Sequence, residues 1–353
     1  LCHDYSVVTN RYVASAPFGL PSPWDVRHVL KPGSFMAKYD IRDGFFHVPV
    51  NEDSRKRLVV RHPGTGRLMW ATALPFGYVD SPRLFCALME SIADKLRARA
   101  AGRGISFFVF VDDWLCVGDT EDLTREGCAM LEEELMRLGI QWAPHKYRGP
   151  AKAIEFLGLL LSNVEGQRGI SLTRKRRRET LELLDDWLSR RRELRSQSGA
   201  NPRELAVLLG KLVFASQVVW NGRPFMQAML SSFAGCEVDW RRGMVTMDGV
   251  RSATVQLSAG FWRDVQWWRD HIGERFSVPW EMPEEAEAVL SGTDASGWGT
   301  GQLAWIDGAR EEIVLRFNRA EQRRPINWRE LLGILRVVET FGERLAGRML
   351  LVE

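Results

Sequence analysis

Two apolar runs separated by an acidic pair form the most regular pattern in the chain. Residues 107–111 and 114–117 are rich in aromatic and β-branched side chains, and Asp112 and Asp113 lie between them. Two such runs joined by two residues predict a β-hairpin that projects both carboxylates from its turn. An unpaired buried charge costs about 3–5 kcal/mol, so the pattern indicates a cation site. A solvated Asp-Asp turn is the alternative.

Further strand and helix patterns surround this hairpin. An apolar run over residues 35–40 predicts a strand that ends at Asp40, and Ser81 and Pro82 predict the cap and first turn of a helix. The apolar face of that helix consists of Leu84, Phe85, Leu88, Ile92 and Leu96. A second amphipathic helix is predicted over residues 121–138, with core positions Leu123, Leu131, Leu135 and Leu138. Strand, helix, hairpin and helix in this order predict an α+β domain of the split βαβ kind.

The later part of the chain is predicted to be mainly helical. Residues 173–233 have helical periodicity with a break at residues 199–202, which contain Gly and Pro. In the tryptophan-rich segment that follows, apolar residues repeat at helical spacing, namely Phe261, Val265, Trp268 and Ile272. This spacing favours a core stripe over a base-stacking platform. Residues 279–287 contain two prolines and four glutamates and predict an acidic linker.

Length and composition restrict the class of protein. The 353 residues suggest two to four compact units, and 45% hydrophobic with 26% charged residues predicts folded domains. We find no apolar stretch near the ~18–20 residues of a membrane span and no leader, so we expect an intracellular chain, in cytoplasm or nucleus, without a membrane partner. Five scattered cysteines without a CxxC pair predict reduced thiols. The absence of an initial Met and the apolar end predict a fragment of a larger polyprotein, with its oligomeric state left open.

The positive charge is concentrated in one segment. The net charge is only +3, but residues 164–233 contain 13 lysines and arginines against 7 acids. The most basic stretch begins with Arg174 and Lys175. It predicts sequence-independent contact with nucleic-acid phosphates. A solvated helix face or a localisation signal is the alternative.

Three motifs in a fixed order resemble the palm motifs of reverse transcriptases. They are Asp40 with Phe45 five positions later, Leu-Pro-Phe-Gly at residues 74–77 with Ser81-Pro82 after it, and the hairpin acids Asp112 and Asp113. A Phe-Leu-Gly turn at residues 156–158 follows them. The resemblance extends over essentially the whole chain.

The resemblance implies a right-hand polymerase fold in four parts. These are fingers and palm at residues 1–163, a thumb at 164–235, a connector at 236–287 and a partial ribonuclease H-like α/β domain at 288–353. Residues 1–6 resemble the end of a fingers motif. The basic residues of that motif, which touch the incoming triphosphate, would precede Leu1.

The resemblance assigns catalysis to three carboxylates. Asp40 and Asp112 are expected to bridge two Mg²⁺ ions, with Mn²⁺ as an alternative. Asp113 is the third metal-site residue and is expected to add charge or an indirect contact. Two such ions can clamp the attacking and leaving oxygens in phosphoryl transfer. Asp43, close to Asp40 in sequence, is expected to be a solvated turn residue.

Four residues are implied to bind the incoming deoxynucleoside triphosphate. Phe45 would lie under the sugar and exclude a 2′-hydroxyl, which favours a DNA product; packing in the core is its alternative role. Phe76 and Gly77 would line the nucleotide pocket. Lys146 matches a lysine that protonates the departing pyrophosphate, although a solvated lysine is the simpler explanation.

An RNA or DNA template and a DNA or RNA primer are the expected macromolecular partners. The residues implied to contact them are Ser81, Pro82, Phe156, Leu157, Gly158, Arg174 and Lys175. Gly158 fits a close approach of the backbone to a strand.

Asp294 and Glu330 resemble the first two carboxylates of a ribonuclease H site. Glu330 also fits a capping box in which Asn327 is the N-cap. The other two acids of such a site would lie beyond Glu353, so we expect no ribonuclease activity from this chain.

We therefore expect an RNA-directed DNA polymerase from a retroelement. Residues 221–225 and 327–332 look closest to tyrosine-recombinase (DIRS-like) retrotransposons, with long-terminal-repeat elements as an alternative. Two other functions are retained: an RNA-dependent RNA polymerase, and a retroelement relic that binds nucleic acid without catalysis.

Overall fold

The structure is a computed structural model that describes residue 5 and residues 9–196, 199–219, 221–273, 277–280, 288–346 and 348–352. Most of the fingers motif at residues 1–6 and of the acidic linker at 279–287 lies outside these residues. The chain divides into two units, Leu1–Trp280 and Glu281–Glu353. The division into four parts stays a prediction.

The first unit mixes short strands and helices. Up to residue 172 it contains β1 (Phe35–Asp40), α1 (Glu52–Arg55), β2 (Val59–Arg61), β3 (Leu68–Trp70), α2 (Ser81–Ala100), β4 (Ile105–Phe110), β5 (Asp113–Gly118), α3 (Glu121–Arg137), β6 (Arg148–Ala151), β7 (Ala153–Phe156), β8 (Leu159–Ser162) and β9 (Gly169–Leu172). Then follow α4 (Arg174–Ser189), α5 (Arg191–Ser196), α6 (Pro202–Ala215), α7 (Gln227–Leu230), β10 (Glu237–Asp239), β11 (Met244–Met247), β12 (Val250–Ser252), α8 (Ala259–His271) and β13 (Ser277–Pro279). Short 3₁₀ helices occur at Thr9–Tyr12, Pro23–His28, Gly44–His47, Pro144–Lys146, Pro224–Met226 and Ser231–Phe233.

A four-stranded antiparallel sheet in the order β4-β5-β1-β6 carries the acidic motifs. β4 and β5 form the predicted hairpin, and β1 pairs with β5 so that Asp40 lies opposite Asp113. The turn is shifted by one residue from the prediction, because Val111 and Asp112 form it and Asp113 already belongs to β5. Val111 adopts a left-handed conformation with φ of 57°, as tight hairpin turns require.

Helix α2 packs on β4 and begins one residue earlier than its predicted cap implies. Asp80 is the N-cap, and Ser81 is the first helical residue. The Ser81 side chain is fully buried, and its hydroxyl donates to the Pro75 carbonyl at 2.8 Å. Leu84 is 37% exposed, contrary to prediction, because it points about 100° away from the buried stripe. That stripe consists of Phe85, Met89, Ile92 and Leu96.

Helix α3 packs on β5 of the same sheet. Leu131 and Leu135 are buried as predicted, but Leu138 is 41% exposed because it is the C-cap of the helix. Gly127 allows α3 to approach the strand closely, since a Cβ at this position would collide with Cys116 Sγ. The Cys116 side chain is therefore fully buried between strand and helix.

A second antiparallel sheet in the order β13-β9-β8-β7 shares a core with helices α4, α5, α6 and α8. The predicted break at residues 199–202 is confirmed, and Asn201 caps α6 by accepting from the backbone N–H of Arg203 at 2.9 Å. Among the described residues beyond Ala215, the predicted long helix is reduced to 3₁₀ turns and the four-residue α7. Gly222 and Pro224 interrupt it, because both disfavour a continuous helix.

Three features complete the description of the first unit. The core stripe of α8 is confirmed, since Phe261, Val265, Trp268 and Ile272 are all buried. Strand β13 ends beside Trp280, whose indole N–H donates to the Ser162 carbonyl at 2.7 Å and whose ring packs edge-on against Trp24. Strands β10, β11 and β12 form a separate antiparallel meander.

The second unit is a four-stranded sheet with one long helix. It contains β14 (Ala288–Ala295), β15 (Gly299–Ile306), β16 (Ala309–Arg316), α9 (Arg319–Gln322), α10 (Ile326–Leu345) and β17 (Met349–Val352). The strand order is β16-β15-β14-β17, and β14 and β17 are parallel. Its core is formed by Val289, Ala304, Ile306, Val337 and Phe341.

In the residues that the structure describes, every helix is too short or too polar to cross a membrane.

Candidate active site

Asp40, Asp112 and Asp113 meet at one end of the first sheet. Asp40 is the last residue of β1 and is paired in register with Asp113 on β5. The backbone fixes the turn beside them, because the N–H of Ile41 donates to the Asp112 carbonyl at 2.8 Å. Strand pairing thus brings Asp40 and Asp112 together, although 72 positions separate them in the sequence.

The three acids repel one another in a partly buried site. Burial, followed by the charges of Asp112 and Asp40, raises the pKa of Asp113 to about 6. Burial is also the main cause that raises the pKa of Asp112, and the charge of Asp40 adds to it. A site that disfavours its own negative charges is suited to a cation.

Lys146 provides the nearest positive charge. Its Nζ donates to both Asp40 oxygens, at 2.8 and 2.9 Å. The hydrogen bond to Asp40 is the main cause that raises the pKa of Lys146, so the lysine stays protonated. Lys146 is the last residue of the 3₁₀ helix Pro144–Lys146. Ala143, directly before this helix, donates its backbone N–H to the Asp40 carbonyl at 2.9 Å. The sequence-predicted lysine and acid are therefore brought together.

The chemistry of the donor set fits divalent metal ions. Carboxylate oxygens are the ligands that Mg²⁺ prefers, and bound cations would offset the repulsion among the three acids. Among the described residues, no three His, Cys, Asp or Glu side chains are already arranged to hold an ion. In this arrangement the Lys146 ammonium forms an ion pair with the Asp40 carboxylate.

Phe45 and Phe76 belong to one aromatic cluster. The ring centroid of Phe45 lies 5.0 Å from that of Phe76 and 5.4 Å from that of Phe85 in α2. Gly44 permits this approach, because a Cβ there would lie 2.8 Å from the Phe85 ring. Phe45 is half-buried and Phe76 is 36% exposed. One side of the cluster is therefore open to a ligand.

Gly77 follows Phe76 and adopts a left-handed conformation with φ of 88°. Its carbonyl accepts from the side-chain amide of Asn10 at 2.9 Å, and the Val79 N–H donates back to Asn10 Oδ1 at 3.0 Å. The loop that carries Phe76 is thus bound to the N-terminal part of the chain.

A cavity of about 430 Å³ extends from Asp40 toward β7. Lys38, Lys146 and Arg148 line it together with Asp40 and Glu155. Lys38 and Arg148 are opposite each other in the pairing of β1 with β6, so the positive charges come from adjacent strands. The charge of Lys38 also acts to lower the pKa of Asp113. The cavity joins the acidic site to the strand that leads into the Phe-Leu-Gly turn.

That turn links β7 and β8. Leu157 and Gly158 have φ values of 50° and 77°, as a two-residue hairpin turn requires, and Phe156 is buried. A Cβ on Gly158 would lie 2.5 Å from the guanidinium of Arg176. That guanidinium stacks over the Phe214 ring of α6, with its carbon 4.3 Å from the ring centroid. Arg176 therefore connects the turn to α4 and α6.

Residues 11–161 match the sequence model of a family described as reverse transcriptase (RNA-dependent DNA polymerase). This segment, which is less than half of the chain, belongs to the reverse transcriptase family. All three acids, the aromatic cluster and the Phe-Leu-Gly turn lie within this reverse transcriptase segment. The family predicted from the motifs is confirmed, whereas the DIRS-like subfamily stays a prediction.

Viral polyproteins contain similar reverse transcriptase sequences. The Gag-Pol polyprotein of woolly monkey sarcoma virus is 30% identical over 162 residues, which are 44% of this chain and 9% of the relative. The enzymatic polyprotein of cauliflower mosaic virus is 23% identical over 351 residues, which are 96% of this chain and 45% of the relative. The chain spans less than half the length of these relatives.

Solved structures of the foamy viral protease-reverse transcriptase share the fold. One, in complex with double-stranded DNA, is 17% identical and has a TM-score of 0.60, covering 99% of this chain and 54% of its own. Another, in complex with an RNA/DNA hybrid, is 16% identical with a TM-score of 0.58, covering 99% of this chain and 42% of its own. The predicted right-hand polymerase fold is thereby confirmed.

The other residues predicted to contact nucleic acid have different surroundings in the first unit. Ser81 is buried, so its side chain fits a structural role, and Pro82 occupies the first turn of α2. Arg174 and Lys175 are exposed in the first turn of α4, where Thr173 is the N-cap.

In the second unit, Asp294 is exposed near the end of β14, and Glu330 is exposed in the first turns of α10. The capping box predicted for Glu330 is wrong, because Pro325 is the N-cap and Asn327 is already helical. Asn318 and Glu321 form such a box at α9 instead. The roles of Asp294 and Glu330 as a ribonuclease H remnant stay a prediction.

Sequence reasoning missed two residues near the site. Lys38 lies two positions before Asp40 on β1, so the two-residue period of a strand could have placed it on the same face. Asn10 had no such signal, because its partners are 67 and 69 residues away in the chain.

Proposed function

We propose that this chain is the RNA-directed DNA polymerase of a retroelement polyprotein. It is a nucleotidyltransferase that adds deoxynucleotides to a primer 3′-hydroxyl on an RNA or DNA template. The observation that carries the proposal is the cluster of Asp40, Asp112 and Asp113 within a reverse transcriptase domain. Their mutual repulsion and partial burial suit a site that functions with cations.

Asp40 and Asp112 would hold two divalent ions, Mg²⁺ or Mn²⁺, with Asp113 beside them. When bound, such ions supply the positive charge that stabilises the attacking and leaving oxygens. Lys146 holds a proton on Nζ next to Asp40, and this ammonium can protonate the departing pyrophosphate. The chain itself therefore contributes metal ligands and a proton donor.

Phe45 and Phe76 would form one wall of the nucleotide pocket. A ring at Phe45 is too large to leave room for a 2′-hydroxyl, so the pocket would select deoxynucleotides. The contact between the two rings, and the further contact of Phe45 with Phe85, supports this rigid wall. Gly77 would line the same pocket.

Primer and template would follow the basic side of the site. The cavity lined by Lys38, Lys146 and Arg148 leads toward the turn at residues 156–158, and Arg174 and Lys175 are exposed at the start of α4. Such cations contact phosphates without reading sequence. The foamy viral structures are complexes with double-stranded DNA and with an RNA/DNA hybrid, and we propose the same classes of ligand here.

Primer extension on an RNA template with deoxynucleotides and Mg²⁺ tests this function. We expect Asp112→Ala to reduce extension at least ~10³-fold, because it removes a metal ligand. Asp43→Ala is the matched control, since Asp43 follows Asp40 closely but its side chain is 65% exposed. The control should extend primers like the unsubstituted chain. Removal of metal ions by a chelator should abolish extension, and Mg²⁺ or Mn²⁺ should restore it.

Two outcomes would favour other functions. Binding of primer-template without extension, unchanged by Asp112→Ala, would support a nucleic-acid-binding relic. Equal use of ribonucleotides and deoxynucleotides would support an RNA polymerase.

A further inference from the structure

The segment at residues 74–81, which we call the nucleotide loop, is fixed at both ends. At its start, the Leu74 N–H donates to the Val48 carbonyl at 2.9 Å. At its end, the Ser81 hydroxyl donates to the Pro75 carbonyl at 2.8 Å. Phe76 and Gly77 lie between these two anchors and need a further support.

The side chain of Asn10 supplies a third anchor in the middle of the nucleotide loop. Its Nδ2 donates to the Gly77 carbonyl at 2.9 Å, and its Oδ1 accepts from the Val79 N–H at 3.0 Å. A carboxamide carries a donor nitrogen and an acceptor oxygen in a single plane, so it pairs with two peptide groups as a neighbouring strand would. The backbone N–H of Asn10 in turn donates to the Tyr5 carbonyl at 2.9 Å.

These contacts determine where Phe76 lies. Gly77, the residue directly after it, has φ of 88°. Glycine adopts positive and negative φ about equally readily, so its own conformational preference does not fix the loop. The Phe76 ring contacts Phe45 at 5.0 Å and Phe46 at 5.3 Å between centroids. Since the Asn10 amide holds the Gly77 carbonyl and the Val79 N–H, one and three residues after Phe76, it keeps this ring against Phe45.

We propose that Asn10 is a positioning residue for the incoming nucleotide. It does not touch the reacting atoms; it holds the nucleotide loop in its binding conformation before the nucleotide arrives. A loop that is ordered in advance loses less conformational entropy on binding, so the nucleotide binds more tightly. This inference rests on the proposed function, because it concerns the deoxynucleotide of the same site.

Hydrogen exchange tests the contact itself, independently of activity. In Asn10→Ala, the amides of residues 74–81 should exchange faster than in the unsubstituted chain. Arg11→Ala is the matched control, because Arg11 is exposed in the same 3₁₀ helix. It should leave exchange in the nucleotide loop unchanged. Unchanged exchange in Asn10→Ala would overturn the proposal.

Steady-state primer extension tests the positioning role. We expect Asn10→Ala to raise the KM for dTTP about 5–10-fold, as expected from the loss of two hydrogen bonds. The kcat and the Kd for primer-template should change less than about twofold. An unchanged KM would overturn the role, as would a fall in kcat and primer-template affinity that matches a loss of thermal stability.

Asn10→Asp gives a second test that does not depend on the size of the alanine effect. At pH 8 the carboxylate can accept from Val79 but cannot donate to Gly77, so KM should rise as in Asn10→Ala. An aspartate with an ordinary pKa stays ionised at this pH and cannot regain the donor. The KM of Asn10→Asp should therefore be at least as high as that of Asn10→Ala, although the side chains of Asn and Asp have nearly the same size.

A KM of Asn10→Asp equal to that of the unsubstituted chain would contradict the paired donor and acceptor. Absence of extension by the unsubstituted chain would refute the proposed function and with it the positioning role. Protection of the nucleotide loop in the exchange experiment would show in that case that the contact exists without this use.

Discussion

Asp113 combines burial with two neighbouring negative charges, and its pKa is raised to about 6. The folded state therefore holds this proton more tightly than the unfolded state, where the pKa is near 3.8. For a carboxyl group with a raised folded-state pKa, the stability present below the unfolded pKa is lost as pH rises through the folded pKa. Asp113 should thus destabilise the metal-free protein progressively between about pH 4 and pH 6.

We predict that Asp113→Asn stabilises the metal-free protein at pH 7.5 by about 1–2 kcal/mol, a value discounted for partial exposure. Urea unfolding with a chelator at a series of pH values measures this. The free energy of unfolding should depend less on pH between 4 and 6 in Asp113→Asn than in the unsubstituted chain. Asp43→Asn is the control, and an equal pH dependence in all three proteins would contradict the prediction.

A substitution of Phe45 tests how the pocket selects its nucleotide. We predict that Phe45→Val increases the kcat/KM for ribonucleotides relative to deoxynucleotides by about 10–100-fold, because a smaller side chain leaves room for the 2′-hydroxyl. Phe46→Val is a suitable control, since Phe46 also contacts Phe76 but is 51% exposed. A loss of stability without a change in nucleotide selection would favour a core role for Phe45.

The sequence could predict the residues that lie close to a motif, but not those that are joined by folding. Asp40 and Asp112 follow from their local patterns, and the structure pairs β1 with the hairpin whose turn contains Asp112. The one-residue shift that places Asp113 in β5 depends on the left-handed Val111, which a propensity for strands does not indicate. Asn10 was missed because its two partners are set by tertiary structure alone.

At the scale of elements, the turn between β7 and β8 depends on Gly158. Alanine there would adopt a strained positive φ and displace Arg176 from its position over Phe214. Gly166 is a matched control, since its φ of 73° is similar but its surroundings leave a Cβ free.

We predict that Gly166→Ala costs about 1 kcal/mol of stability from backbone strain alone. Gly158→Ala should cost about 1 kcal/mol more, because the cation–π contact of Arg176 is lost as well. Urea unfolding of both variants provides the comparison. Equal costs would indicate that Arg176 adapts without loss.

Element existence was easier to predict than element ends. Helices α2 and α3 follow from periodicity, yet Leu84 and Leu138 were assigned to the wrong side, since both lie near helix termini where the stripe begins or stops. The start of α10 was also misplaced, because proline at position 325 serves as its N-cap. Capping depends on which of several polar residues the backbone reaches, and a pattern of residue types does not decide this.

At the scale of the whole molecule, the boundary of the first unit is at Trp280. This residue contacts Ser162 and Trp24, and β13 just before it pairs with β9. Chain order alone suggested a connector that ends at residue 287. Contacts over 118 and 256 positions in sequence are invisible to patterns of local hydrophobicity, so the sequence alone could not place this boundary.

We predict that a chain ending at Trp280 unfolds at the same urea concentration as the first unit of the full chain. A chain ending at Gly273 should be less stable by about 3–5 kcal/mol, because it lacks β13 and the buried Trp280. Tryptophan fluorescence and circular dichroism measure both transitions. Equal stability of the two truncated chains would show that the last strand adds nothing to the core.

The buried thiol of Cys116 allows motion of the hairpin to be timed. It lies on β5, three residues after Asp113, and is covered by α3 at Gly127. A thiol reagent can reach its sulfur only when strand and helix separate, so the labelling rate of Cys116 measures how often this part of the first unit opens. A ligand that holds the acids together would slow the reaction. The labelling rate of this one thiol thus reports how often the hairpin that carries Asp112 and Asp113 opens.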